Sequence, residues 1–292
     1  MTKTVRTTEK YSCEVMQRDL SMLQAQYPGM DRFDFGESAY GKKLVAVNVG
    51  AGQRRLLMVG AHHGREYISS AFVMASLEKL LAEGGPPEGV LVTFVPMINP
   101  DGVDISIYGG NNLTDSMELL GSDIRAWKAN GNGIDLNRHY PALFWKKKNL
   151  TNGPASEGFG GLAPAIESEV RAMMELCNRW DYTISATFHS KGEVIIYGDT
   201  NTPRVNEESY IIAQRLSRVT GYEIMPVSSD PSVFAGGFEN WFRQEYGRPS
   251  ILMELSPSNG TDIPHDMRQF DELVWNRCSE VCNVLIDCLF LI

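Results

Sequence analysis

Between Ser12 and Gln26 the apolar residues Val15, Met16, Leu20 and Leu23 return every three to four positions, the period of a helix with one buried stripe. Pro28-Gly29 ends it. Residues 32–36 and 43–49 read as strands joined by a Gly-containing turn, and Gly50-Ala51-Gly52 turns the chain into a compact apolar strand over 55–60. After the polar stretch 61–66, Ile68, Phe72, Val73, Ala75, Leu77 and Leu80 predict a largely buried helix over 67–81. A second buried strand, 90–96, follows Gly84-Gly85-Pro86-Pro87.

The alternation continues with a helix over 168–179, strands over 182–188 and 193–197, a helix over 207–220, a strand over 250–255 and a closing helix over 267–289. Strands alternating with helices predict an α/β protein: one domain built on a mixed, mostly parallel twisted sheet with helices on both faces. The stretch 99–161, rich in Gly, Asn and other polar residues, is too long for a simple connection, and segments of that kind usually carry function. No repeat or linker divides the chain, so residues 11–292 are expected to form the domain and 1–10 a polar tail.

Of the 292 residues 43% are hydrophobic and 22% charged, which is ordinary for a folded globular chain. The net charge of −9 argues against nucleic acid as a partner, because phosphate-backbone affinity comes from excess Lys and Arg. Cys13, Cys177, Cys278, Cys282 and Cys288 are odd in number and contain no CxxC pair, so they read as reduced thiols. No apolar run reaches the length of a membrane span, and the apolar C-terminal tail, interrupted by Asn283 and Asp287, reads as a docking helix. The polar start lacks the apolar core of a secretory leader, which points to the cytoplasm unless a leader has been removed. The sequence is silent on oligomeric state.

The chain has five histidines: His62, His63, His139, His189 and His265. His62-His63-Gly64-Arg65-Glu66 directly follows a buried strand, where open α/β sheets place ligands. His63 and Glu66 are three apart, so one turn can aim imidazole and carboxylate at the same point. Two imidazoles and a carboxylate, with a fourth position left to water, form a recurrent catalytic zinc arrangement. His189, at the end of the strand 182–188, is the natural third ligand. Read singly, each of these has an ordinary structural explanation. His139 and His265 have no partner motif and read as polar surface residues.

The motifs taken together resemble the zinc carboxypeptidases of the carboxypeptidase A superfamily. The matching text is His63-Gly64-Arg65-Glu66, Asn99-Pro100-Asp101-Gly102, Gly133-Ile134-Asp135-Leu136-Asn137-Arg138, His189-Ser190, and Glu254 within Ile251-Leu252-Met253-Glu254-Leu255. The 126 positions between His63 and His189 also suit that family. The resemblance implies Zn²⁺ held by His63, Glu66 and His189, with Asp135 as the carboxylate that orients a zinc histidine. It implies Asn137 and Arg138 as the grip on a substrate carboxylate, and Glu254 as general base. A carboxylate in a mostly apolar strand is costly to bury, which independently favours a function for Glu254. In the family a cation following a tryptophan stabilises the developing oxyanion. Here Trp127 is followed by Lys128, the candidate, with Arg125 in reserve.

Other segments resemble the bacterial branch that hydrolyses γ-D-glutamyl bonds to a diamino acid in peptidoglycan peptides. They are Trp127-Lys128-Ala129-Asn130, 189–193 and Gly236-Gly237-Phe238-Glu239-Asn240-Trp241-Phe242. The active-site tyrosine of digestive relatives falls at Ser232. Glu239, fifteen positions before Glu254, falls where relatives place the floor of the pocket for the residue after the scissile bond, and an acid there selects a cation. The expected activity is zinc-dependent hydrolysis of γ-D-Glu–meso-diaminopimelate or γ-D-Glu–Lys bonds. The alternatives are a metallocarboxypeptidase for basic C-terminal residues of ordinary peptides, a zinc amidohydrolase for N-acyl amino acids, and, least favoured, a catalytically silent binding module.

Overall fold

The computed structural model describes residues 3–110, 113, 117–259 and 262–292. Met1 and Thr2 of the expected tail, and 111–112 and 114–116 of the polar stretch, lie outside the described residues. Eight strands form one mixed sheet: β1 (Asp31–Glu37), β2 (Lys43–Gly50), β3 (Gly52–Gly60), β4 (Gly89–Val95), β5 (Ile184–Ser190), β6 (Val194–Ile196), β7 (Glu223–Ile224) and β8 (Ser250–Leu255). Their order is β1-β2-β4-β3-β5-β8-β6-β7. The inner strands β4, β3, β5 and β8 run parallel, and antiparallel pairing enters at β1–β2, β2–β4 and β6–β8.

The near-continuous apolar strands follow from a sheet covered on both faces, because successive side chains point to opposite sides. In β2, Val45, Val47 and Val49 enter one core while Leu44 and Ala46 enter the other. In β3, Leu56 and Met58 divide from Leu57 and Val59 in the same way. The first core is closed by α1 (Cys13–Gln26), α2 (Ile68–Ala82), α5 (Pro203–Thr220) and the C-terminal helices. The second is closed by α4 (Ser168–Trp180) and by α7 (Phe238–Tyr246), which follows the short α6 (Pro231–Phe234). The helix α2 has no polar stripe because it is buried almost all round from Ile68 to Leu77.

Three differences from the sequence reading have local causes. A helix α3 (Pro100–Tyr108) opens the polar stretch; Asn99 caps it by accepting from the Gly102 N–H, and Pro100 occupies its first turn. The segment 267–289 is not one helix. It runs as a 3-10 turn (Met267–Gln269), a π turn (Asp271–Trp275), α8 (Asn276–Cys278) and α9 (Val281–Cys288), broken at Glu280 with φ −95° and ψ −1°. Phe270, Val274, Cys278, Val281, Cys282 and Leu285 are nonetheless all buried, so the apolar stripe survives the breaks. The third is at the start: Thr4 and Val5 donate their N–H groups to the Glu78 carboxylate, and Val5 joins the core, so the described part of 1–10 is fastened down.

Candidate metal centre

The centre lies at the carboxyl ends of β3, β5 and β8, three parallel neighbours in the middle of the sheet. After Gly60 the chain turns through Ala61, whose φ is +53°, and presents His63 in an extended conformation ahead of a 3-10 turn (Gly64–Glu66) that carries the carboxylate. This loop is knitted to two others. Gly64 N–H donates to Lys128 O (3.0 Å) and Arg65 N–H to Trp127 O (2.8 Å), while the Asn99 amide donates to His62 O (3.0 Å) and Ala129 O (3.1 Å). A Cβ at Gly64 would lie 2.2 Å from Gly102 O, so the approach requires glycine.

His63 Nδ1 is 3.0 Å from Glu66 Oε1, His189 Nδ1 is 3.0 Å from Glu66 Oε2, and the two Nδ1 atoms are 3.1 Å apart. Among the described residues these three form the one grouping of potential metal ligands, and all are buried. Tetrahedral Zn²⁺ with bonds of about 2.0–2.1 Å separates its donors by about 3.3 Å, so the triangle fits that ion closely. Each imidazole turns its other nitrogen to a carboxylate: His63 Nε2 is 3.2 Å from Asp135 Oδ1, and His189 Nε2 is 3.8 Å from Glu239 Oε1. Such backing fixes which nitrogen a bound metal would meet.

The electrostatics ask for a cation. Burial alone would lower the pKa of His189, but the Glu239 and Glu66 carboxylates outweigh it and push the imidazole up to about 10. Burial would raise Glu66, yet His63 and His189 hold it well below the usual carboxylate range. Burial would likewise raise Asp135, and Lys128 with His63 reverses that. Positive charge is thus stabilised at the point where the three donors meet.

Glu254 stands on β8 opposite His189 on β5. Its Oε2 is buried with no hydrogen-bond partner among the described residues, and burial, reinforced by the Glu66 carboxylate, pushes its pKa up to about 7. A hollow of about 260 Å³ opens beside it, lined in part by His63, Lys128, Arg138, His189, Glu239 and Glu254. Lys128 Nζ lies 4.0 Å from Asp135 Oδ2 and is partly exposed. Asn137 also lines the hollow: its Oδ1 accepts from Phe238 N–H (2.8 Å) and its Nδ2 faces His189 Nε2 and Glu239 Oε2 at 3.4 Å each. Arg138 is held by two carbonyls, Asn137 O (2.7 Å) and Val233 O (3.0 Å). Arg125 is elsewhere: exposed, it grips Asp123 at 2.6 Å and does not line the hollow, so Lys128 is the one cation of the two that faces the centre. A second trough of about 420 Å³ beside Pro28-Gly29 is lined, among the described residues, by uncharged side chains.

Glu239 is not a solvated helix residue. It is buried, accepts from the Thr187 hydroxyl, and is held below the usual carboxylate range: burial would raise it, but His189 lowers it more. His62 points away from the triangle, its ring stacked on His189 at 5.6 Å and its Nε2 3.3 Å from the Tyr140 hydroxyl; burial drops its pKa to about 3. His139 and His265 correct the surface reading, since both are buried. His139 Nδ1–H donates to Gly160 O while Nε2 accepts from the Ile166 and Glu167 N–H groups, and His265 Nε2 lies 3.0 Å from Ser256 Oγ. A lone histidine in a polar loop looks exposed when the loop it bolts together is not visible in the text. Sequence reasoning missed Asn240 and Arg243, which line the hollow, and Asp199, which binds both. Asn240 and Arg243 share the segment that carries Glu239, but Asp199 follows β6 with no spacing to announce it.

A family model described as zinc carboxypeptidase matches residues 16–276. Gamma-D-glutamyl-L-diamino acid endopeptidase 1 of Lysinibacillus sphaericus is 29% identical over 289 residues, covering 92% of this chain and 70% of that protein. Murein peptide amidase A of Escherichia coli K12 is 26% identical over 222 residues, covering 73% and 76%. The structure of bovine thrombin-activatable fibrinolysis inhibitor in complex with tick carboxypeptidase inhibitor superposes with a TM-score of 0.78 at 17% identity, over 98% of both chains, which shows the shared fold.

Proposed function

The chain belongs to the zinc carboxypeptidase family and is a metallopeptidase, and on that premise we propose that it hydrolyses the γ-D-glutamyl bond to a diamino acid in peptidoglycan peptides. The observation that supports the reading is the hollow itself: the Glu239 carboxylate lines it together with His63 and His189 of the candidate metal triangle and with Glu254. The two similar proteins named for γ-D-glutamyl-diamino acid and murein peptide cleavage support it.

In this reading His63, Glu66 and His189 hold Zn²⁺. When bound there, zinc supplies Lewis-acid polarisation of the scissile carbonyl and an acidified water. Glu254, whose Oε2 has no hydrogen-bond partner among the described residues, takes the water proton and returns it to the leaving amine. Lys128 faces the same space and stabilises developing oxyanion charge. Arg138, whose guanidinium is oriented by two carbonyls, and Asn137 hold the carboxylate of the diamino acid. Asp135 keeps His63 in the tautomer that offers Nδ1 to the metal.

Removal of basic C-terminal residues from ordinary peptides is the second reading, because Arg138 and Glu239 would serve that substrate equally. Digestion of γ-D-Glu-diamino acid peptides beside C-terminal Lys peptides, read by mass, separates the two. Cleavage of the α-linked peptides alone would overturn the γ-linked assignment.

A further inference from the structure

Behind Arg138 two adjoining loops carry features that the proposed reaction does not use. Residues 144–150 and 158–166 are zippered together: Leu150 N–H donates to Gly158 O (2.9 Å), Gly160 N–H to Asn149 Oδ1 (3.1 Å) and Lys147 Nζ to Gly161 O (3.1 Å). The pair is fastened from below, because Phe144 is buried and the His139 imidazole accepts from the Ile166 and Glu167 N–H groups. It borders the hollow: a Cβ at Gly160 would lie 2.5 Å from the carbonyl oxygen of Arg138, a residue that lines the hollow.

On this frame four large apolar side chains stand in solvent. Trp145 and Leu162 are each 77% exposed, Leu150 is 65% exposed and Ile166 54%. Single exposed apolar residues are ordinary, but a group of them on adjoining loops marks a contact surface. Cations are set among them: in a chain of net charge −9, Trp145 is followed by Lys146, Lys147 and Lys148. Lys147 folds back over the Phe144 ring, 3.4 Å from its centre, whereas Lys146 and Lys148 are exposed. Asp230 feels the charge of Lys148, but its carboxylate is turned to the Ser232 N–H at 2.9 Å.

Three kinds of occupant suit an exposed apolar surface, and the residues choose among them. A second copy meeting this face across a two-fold axis would set the lysines against their own kind. A sugar chain would stack on the Trp145 ring and leave Leu150, Leu162 and Ile166 in water. An anionic bilayer uses every feature, since the indole and the aliphatic side chains enter the boundary between headgroups and acyl chains while the lysines meet lipid phosphates. No described helix is long and apolar enough to cross a membrane, so the contact is interfacial.

We infer that the loop pair 144–150 and 158–166 docks on an anionic lipid surface, with Trp145 and Leu162 as apolar anchors and Lys146 and Lys148 as headgroup contacts. The hollow that the pair borders is thereby carried to the lipid. The inference does not depend on which bond the enzyme cuts.

The test is co-sedimentation of the full chain with vesicles of phosphatidylcholine alone and of phosphatidylcholine with about one-third phosphatidylglycerol, at low salt. Partitioning onto the anionic vesicles is expected to exceed that onto the neutral ones by roughly tenfold or more, at about fivefold per lysine, and to fall as salt is added. Lys146→Gln with Lys148→Gln should abolish that preference, and Trp145→Ser with Leu162→Ser should cut binding to the anionic vesicles by about tenfold or more. Tryptophan emission should shift to the blue on the anionic vesicles, and the shift should be lost in Trp145→Phe. Circular dichroism checks that each variant folds; should the Trp145→Ser and Leu162→Ser chain not fold, the lysine pair and the emission shift decide. Absence of binding to the anionic vesicles, equal binding to both kinds, or binding that either folded double variant leaves unchanged overturns the inference. Self-association without vesicle binding, lost in the Trp145→Ser and Leu162→Ser chain, would assign the face to a second copy, and retention on insoluble glycan without vesicle binding would assign it to a sugar polymer; either result also overturns it.

Discussion

His189 and Glu254 are register partners on adjacent parallel strands, so the backbone ladder between β5 and β8 fixes the distance from an imidazole of the candidate metal triangle to a carboxylate oxygen that has no hydrogen-bond partner among the described residues. The relationship is held by the sheet, where rigid elements place groups more exactly than loops. Glu254→Gln preserves shape and removes the acceptor of the water proton. Its kcat is expected to fall roughly 10²- to 10⁴-fold while zinc remains bound at one per chain. An active variant, or loss of zinc along with activity, counts against Glu254 as the base.

Asp135 backs His63 at 3.2 Å and sits 4.0 Å from Lys128 Nζ. Asp135→Asn removes the carboxylate that holds the His63 ring in place, and affinity for zinc should drop roughly 10- to 100-fold. Competition with a chromogenic chelator measures this directly; unchanged affinity would show that His63 is oriented by its loop alone.

The loop bearing His63 rests on Gly102, where a Cβ would meet Ala129 O at 2.2 Å and the Asn99 amide at 2.5 Å. Backbone and capping atoms cannot yield cheaply, so Gly102→Ala should destabilise by roughly 1–3 kcal/mol and also weaken zinc binding. Thermal melts of zinc-loaded and stripped protein check it: the variant should gain less from zinc than the wild type does. An equal gain would mean that the loop tolerates the methyl.

Glu169 has a stability signature. It is fully buried, accepts from Ala39 N–H (3.1 Å), and shares the Asn130 amide with Glu167. Burial is the main reason that its pKa rises from 4.5 to about 7, with Glu167 and Asp101 adding to it. The native state therefore keeps a proton that the unfolded chain gives up above about pH 4.5. The resulting stabilisation is fully present below pH 4.5 and lost as pH rises to 7, a change on the order of 3 kcal/mol at 1.36 kcal/mol per unit. Denaturant melts between pH 4.5 and 7 should show a falling stability in the wild type and a flatter profile in Glu169→Gln. Parallel profiles would refute the assignment.

Much of the scaffold was legible because it repeats. The strand 250–255, the helix 168–179 and the apolar runs around 55–60 and 90–96 lie within a few residues of the observed elements, since periodicity reports which side of an element is buried. Helix α7 is absent from the sequence reading although Gly237 precedes it, Gly247 ends it in a left-handed conformation, and Phe238, Trp241 and Phe242 stand at helical spacing; at nine residues it shows little more than two turns of that period. The breaks at Asp271–Trp275 and Glu280 were invisible for the opposite reason: the buried stripe runs through them undisturbed.

The ligand types, their spacing around a turn, and the acid in strand β8 are properties of the text, because a metal site must draw its donors from particular residues at strand ends. What only the tertiary structure decided is how distant residues share a partner. Glu239 reaches His189 and Thr187, Asp199 binds Asn240 and Arg243, and His139 pins a loop whose acceptor lies 21 positions away. Such contacts follow no period. They arise where the crossing of the sheet brings separate loops to one edge, and burial there makes each polar atom find whatever neighbour the fold supplies.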